Sequence, residues 1–135
     1  MDAIQKGEDL RHYDLEAWVV MANHVHLLIK PMIAPNRLMQ SLKGVTAREA
    51  NKILGRTGQA FWQKESYDHW VRNDSELARI KRYIEFNPVK AGLVATPEAF
   101  PFSSAGVETS LDAARTIACA TCLSEGAAGL VPAIR

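Results

Sequence analysis

Cysteine is nearly absent from the sequence, long apolar runs are missing, and the net charge is close to zero. Each scarcity closes off a class of protein. Cys119 and Cys122 form a single CxxC with no second cysteine pair, and the nearest histidine, His69, lies far upstream. A zinc site is therefore not expected, and two incidental thiols in a reducing compartment are. The longest unbroken apolar stretch is a handful of residues, too short to span a membrane. The opening MDAIQKGEDL lacks the basic-then-apolar order of a signal peptide, so a cytoplasmic location is expected. No internal repeat is visible. What is present is 135 residues with 47% hydrophobic content. That suits one small domain with a real core and excludes a disordered chain.

The charge is uneven along the chain. The total is +1, from 16 Lys and Arg against 15 Asp and Glu. Residues 1–29 carry 2 basic and 5 acidic side chains, residues 30–90 carry 12 and 6, and residues 91–135 carry 2 and 4. The middle is thus +6 between two acidic flanks. A phosphate backbone favours such a segment, and a solvated helical surface accounts for it equally well.

The periodicity places the motifs. Residues 1–14 read as the end of a helix and a loop. In LEAWVVMANHVHLLIK, Trp18–Met21 and Val25–Ile29 read as strands joined at Ala22-Asn23. Pro31 to Pro35 break the chain. Residues 36–55 place Leu38, Met39, Leu42, Val45, Ala50, Ile53 and Leu54 at helical spacing, with Gly55 as C-cap. A loop with a short strand covers 56–72. Asn73 to Glu76 then cap a helix that runs to Asn87 and is stopped by Pro88. Residues 91–102 read as a turn and an aromatic-ended segment, and 103–135 as a weak tail.

His24 and His26 are alternate residues of a strand, so both imidazoles face one side while Val25 turns to the core. Such a pair is a bidentate metal platform, or more commonly a hydrogen-bonded pair at a sheet edge. Tyr83 and Asn87 share a helix face. Each has an ordinary structural use. Beside the histidines they complete the parts of a metal-assisted phosphodiester cleavage with tyrosine as nucleophile.

WVVMANHVHLLIKP closely resembles the histidine signature of single-tyrosine (HUH) transposases. GQAFWQKESYDHWVRNDSELARIKRYIEFNPVKAGLV resembles the second half of the REP-associated tyrosine transposases, and EAFPFSSAGVE their Pro-Trp-Ser-Ser segment. The likeness covers about residues 15–107. It implies an α+β, ferredoxin-like sandwich with an antiparallel sheet. It implies Tyr83 as nucleophile and His24, His26 and Asn87 as ligands of Mg²⁺ or Mn²⁺. It also implies cleavage of single-stranded DNA beside hairpin-forming repeats through a 5′-phosphotyrosine. Lys43, Arg48, Lys52, Arg56, Lys64, Arg72, Arg79, Arg82 and Lys90 would contact the DNA backbone. Trp62, Tyr67 and Trp70 would stack on bases or pack, with packing expected for at least two. Ala22 stands where the family usually has proline. Only a short segment precedes Trp18, so the first strand and helix of that fold are expected to be missing, leaving a strand unpaired. Residues 1–107 would be a shortened transposase domain and 108–135 a weakly structured tail. The chain would then be a working transposase, with self-association left open, or a decayed copy that keeps DNA binding alone.

Overall fold

The computed structural model describes residues 2–106 and 117–122. Helix α1 (Asp2–Asp9) is followed by β1 (Tyr13–Val20), β2 (His24–Pro31), α2 (Pro35–Ile53) and β3 (Tyr67–Trp70). Helices α3 (Asp74–Glu85) and α4 (Asn87–Lys90) come next, and then β4 (Ile117–Cys122). The strands make one antiparallel sheet in the order β1-β2-β4-β3, so the fold is α+β as expected.

The β1–β2 hairpin turns at Ala22-Asn23, with Met21 N–H donating to the His24 carbonyl at 2.8 Å. Strand alternation then sorts the side chains. Val25, Leu27 and Ile29 join Ile4, Tyr13, Leu38 and Leu42 in the layer made with α1 and α2. Leu28 faces the other way and packs with Ala17, Val19, Leu77 and Ile84 beneath α3. A bulge between Leu15 and Ala17 shifts the register of β1. It lets Tyr13 and Leu15 serve the first layer while Ala17 and Val19 serve the second. Helices therefore cover both faces of the sheet.

Helix ends follow local chemistry. Pro35 opens α2, where its missing N–H costs nothing, and Gly55 follows its end with φ of 66°. The Asn73 side chain caps α3 by accepting the Glu76 N–H at 2.9 Å. Pro88 does not stop the helical path as expected. α3 ends at Glu85, and α4 restarts with Pro88 in its first turn, where no amide donor is needed.

Two expectations change. The weakly structured tail expected over 108–135 contains strand β4, which lies between β2 and β3 and pairs with both. Its Ala- and Thr-rich sequence carries little strand signal of its own, and its place is set by two flanking ladders. The strand expected to be left unpaired by a missing first strand is not β2, since β1 and β4 flank it on either side. The outer edge of β1 is covered as well. Val20 N–H donates to the Phe102 carbonyl at 2.8 Å and Ser104 N–H to the Trp18 carbonyl at 2.9 Å. The buried Ser104 hydroxyl accepts from Trp18 N–H at 2.9 Å. The rest of the expected tail lies outside the described residues. Among the described residues no helix is long and apolar enough to cross a membrane.

Candidate active site

The histidine pair stands on the α3 side of β2, as alternation requires. The two rings lie edge to face with centroids 4.8 Å apart. His24 Nδ1 sits 2.7 Å from Asn23 Oδ1. An amide oxygen can only accept, so in neutral His24 the proton is on Nδ1 and Nε2 keeps a bare lone pair. That lone pair faces Asn87 Oδ1, itself an acceptor, at 3.4 Å. A cation placed between them would be shared by both lone pairs. His26 is held neutral by its surroundings. Burial, and then the charge of His24, push its pKa down to about 4. Its lone pair is therefore available throughout the neutral range.

Tyr83 reaches the same place from α3. Its ring meets that of His26 edge to face, centroids 5.6 Å apart, and is 47% exposed. The Lys90 ammonium lies 4.6 Å from the centre of the Tyr83 ring and brings a positive charge to it. The break at Pro88 matters here, because the helical path continues far enough to carry Asn87 and Lys90 to the site. Tyr13 is in a different situation. It is 1% exposed, donates to the Ile4 carbonyl, and has its pKa pushed up to about 12 by burial and by Glu8. Tyr67 lines the cleft beside the site but stands on β3, away from Asn87.

The donor set fits a divalent cation. Among the described residues no three of His, Cys, Asp and Glu converge, and the oxygen that stands beside His24 is that of the Asn87 amide. An amide oxygen suits hard cations, and imidazoles favour Mn²⁺ over Mg²⁺, which keeps to oxygen ligands. Among the described side chains Cys119 offers no rival site. β3 and β4 do place His69 opposite Ala118, close to Cys119 despite their distance in sequence. Strand alternation turns Cys119 to the opposite face, where it is buried against Met39 and burial pushes its thiol pKa up.

The nine basic residues do not form one patch. Arg79, Arg82 and Lys90 share α3 and α4 with Tyr83, and Arg72 stands just before α3. Arg48 and Lys52 lie on α2, across the sheet, with Arg56 just beyond its end. Lys64 is exposed in the loop before β3. Lys43 has a structural use, since its ammonium donates to the carbonyls of Gln63, Lys64 and Glu65 at 2.9, 3.5 and 3.3 Å. Of the three aromatics, only Trp62 is packed, donating through its indole N–H to the Thr46 hydroxyl at 2.8 Å. Tyr67 and Trp70 are 67% and 56% exposed, which reverses the expectation that at least two would pack.

One group escaped the sequence reading. His69 on β3 lies 3.2 Å, through Nε2, from the Glu76 carboxylate, and Arg79 donates to the same oxygen at 3.3 Å. The other carboxylate oxygen accepts the Arg72 N–H at 2.9 Å. The Arg72 backbone bond foremost, and then His69 and the Arg72 charge, hold the Glu76 pKa below the usual carboxylate range against the opposing effect of burial. The signal was faint, a strand-spaced Tyr67 and His69 followed by an acid read only as part of a helix cap.

Comparison with known proteins adds to this geometry. The family model described as "Transposase IS200 like" matches residues 2–87. A putative REP-associated tyrosine transposase of Haemophilus influenzae is 30% identical over 106 residues, covering 69% of this chain and 60% of the relative. A REP-associated tyrosine transposase of Escherichia coli is 26% identical over 102 residues, covering 76% of this chain and 60% of the relative. The chain thus spans about three fifths of the length of these curated relatives. No solved structure gives a significant match.

Proposed function

Because the chain belongs to the IS200-like transposase family, we propose that it cuts and rejoins single-stranded DNA at hairpin-associated sites, with Tyr83 as nucleophile. The observation that carries this reading is the approach of the Tyr83 ring to His26 at 5.6 Å, beside the facing acceptors of His24 and Asn87. Neither Tyr13 nor Tyr67 stands in such a place.

His24, His26 and Asn87 would hold a divalent cation, Mn²⁺ or Mg²⁺. When bound, that ion supplies Lewis-acid polarisation of the scissile phosphate. The chain's own groups do the rest. Asn23 fixes the His24 ring by accepting from Nδ1–H. Lys90, above the Tyr83 ring, adds positive charge where the phosphate must lie. The Tyr83 oxygen attacks phosphorus, and the bond from phosphorus to the 3′-oxygen breaks. The phenol gives up its proton, the departing 3′-oxygen takes one up, and a 5′-phosphotyrosine forms. One phosphoester replaces another, so an incoming 3′-hydroxyl reverses the step and joins strands.

The second reading is a chain that binds DNA without cutting it. One experiment separates the two. The protein is incubated with labelled hairpin DNA and Mn²⁺, denatured, and run on a gel. The cutting reading expects a denaturation-resistant protein–DNA band that Tyr83→Phe abolishes while DNA binding stays within about twofold of the parent, since only an exposed hydroxyl is lost. A band that survives Tyr83→Phe refutes the assignment. No band from a folded, DNA-binding parent establishes the second reading.

A further inference from the structure

A cleft of about 460 Å³ opens next to Tyr83, between α3 and the β4–β3 side of the sheet. Its size is within the usual span for small-ligand sites, roughly 300–1,000 Å³. His26 and Tyr83 line one end and Tyr67 and His69 the other. The phosphodiester chemistry proposed above uses only the first end.

The second end is built in steps. Tyr67 and His69 are alternate residues of β3, so their rings rise on the same face of the sheet. The rings are parallel to within 12°, with centroids 6.3 Å apart. Behind them His69 is fastened through Nε2 to Glu76. The Glu76 carboxylate is fully engaged, by His69, by Arg79 and by the Arg72 backbone, so it does not present a free negative charge to the cleft. His69 is largely covered, whereas Tyr67 is 67% exposed. The result is an exposed aromatic face backed by a fixed ring. Beside it stands Arg79, whose side chain is 76% exposed and available to a phosphate.

Resting on the DNA-cutting reading of Tyr83, we propose that Tyr67 and His69 form the subsite for one unstacked base of the bound strand. Tyr67 is the stacking face, Arg79 the neighbouring phosphate contact, and His69 and Glu76 the positioning residues. A base within a duplex already has neighbours on both faces, so only a single-stranded or extruded base can use such a platform. Spacing places it near the reaction. Glu76, Arg79 and Tyr83 lie along one face of α3, and the seven residues from Glu76 to Tyr83 rise about 10 Å. That is about three stacked nucleotide steps at roughly 3.4 Å each, and fewer in an extended strand. The base held here is therefore within three nucleotides of the scissile phosphate. Stacking accepts any base, so this subsite contributes affinity and register more than sequence choice.

The test uses the whole protein and a mixed-sequence single-stranded 16-mer carrying 5-iodouracil, which photo-crosslinks to aromatic rings stacked on it. Affinity is read by fluorescence anisotropy, and crosslinked peptides are identified by mass spectrometry. The proposal expects a crosslink at Tyr67. It expects about tenfold weaker binding for Tyr67→Leu, the size of one lost base stack, and near-parental binding for Tyr67→Phe. His69→Ala should lower the crosslink yield at Tyr67 even at saturating protein, which a purely structural change with unaltered melting would not do. Crosslinks confined to other residues, with Tyr67→Leu binding like the parent, overturn the subsite even if the Tyr83 adduct forms. Tyr67-dependent binding and crosslinking without any adduct uphold the subsite and refute the cutting reading. A folded parent that does not bind the strand overturns both.

Discussion

His26 shows how a residue's chemistry is set by what surrounds it. Its imidazole is largely covered and stands beside His24, and both facts disfavour the charged form. An NMR titration of the ring protons should show His26 neutral down to about pH 4, against 6.5 for an unshifted histidine. His24→Gln removes the smaller, charge-based cause and should move the midpoint only part of the way back. A His26 midpoint near 6.5 in the parent would contradict the burial seen here. The sign for stability follows from proton binding. Between pH 6.5 and 4 the unfolded chain protonates this side chain while the folded chain does not. The contribution to stability is thus complete above pH 6.5 and declines as the pH falls through that window. Low pH acts on the site in the same direction, by occupying the lone pair that a cation would need.

At the scale of elements, α1 is held to the sheet by a close fit. Gly7 lies against the Tyr13 ring, and a Cβ built there would stand 2.5 Å from the phenol oxygen and 2.6 Å from ring carbon Cε1. Tyr13 is buried and bonded to the Ile4 carbonyl, so it has little room to yield. Gly7→Ala should destabilise the protein by about 1–3 kcal/mol, the usual cost of overpacking. Gly44 is the control. It sits inside α2, and a Cβ added there would meet nothing within 4 Å. Gly44→Ala should therefore stabilise by about 0.5–1 kcal/mol through helix propensity. Urea unfolding of both variants measures the two effects. A neutral Gly7→Ala would show that α1 is not tightly docked. The two elements of the site are secured separately. β2 is fixed by its ladders, and α3 by Leu77 and Ile84 over Ala17, Val19 and Leu28. Tyr83 and the histidines therefore meet only when the second layer packs.

At the scale of the whole molecule, the sheet depends on its latest strand. β4 pairs along β2 from His24 to Ile29 and along β3 from Tyr67 to Trp70. Without it the histidine strand loses one neighbour and β3 loses its place in the sheet. A chain ending after residue 106 should therefore lose cooperative thermal unfolding and adopt a loosely packed state, even though His24, His26, Tyr83 and Asn87 are all retained. Differential scanning calorimetry and near-UV circular dichroism measure this. A cooperative transition at the parental temperature would mean that β4 is dispensable. The platform of Tyr67 and His69 depends on the same strand, since β3 has no other partner among the described residues.

The sequence alone determined the parts whose signals are local. The β1–β2 hairpin follows from two apolar runs around Ala22-Asn23, and the placing of both histidines on one face follows from strand alternation. The start of α3 follows from Asn73 and Glu76, and the end of α2 from Gly55. Tertiary structure decided the rest, because the rest depends on distant partners. Residues 117–122 became a strand because β2 and β3 offered two open ladders, not through any pattern of their own. Pro88 divided a helix without ending it, because its ring falls in a first turn that needs no donor. The basic residues separated into two groups because α2 and α3 cover opposite faces of one sheet. His69 came to lie beside Glu76 through the docking of β3 against α3. Facing acceptors on His24 and Asn87, 63 positions apart, are likewise a product of packing that no local spacing records.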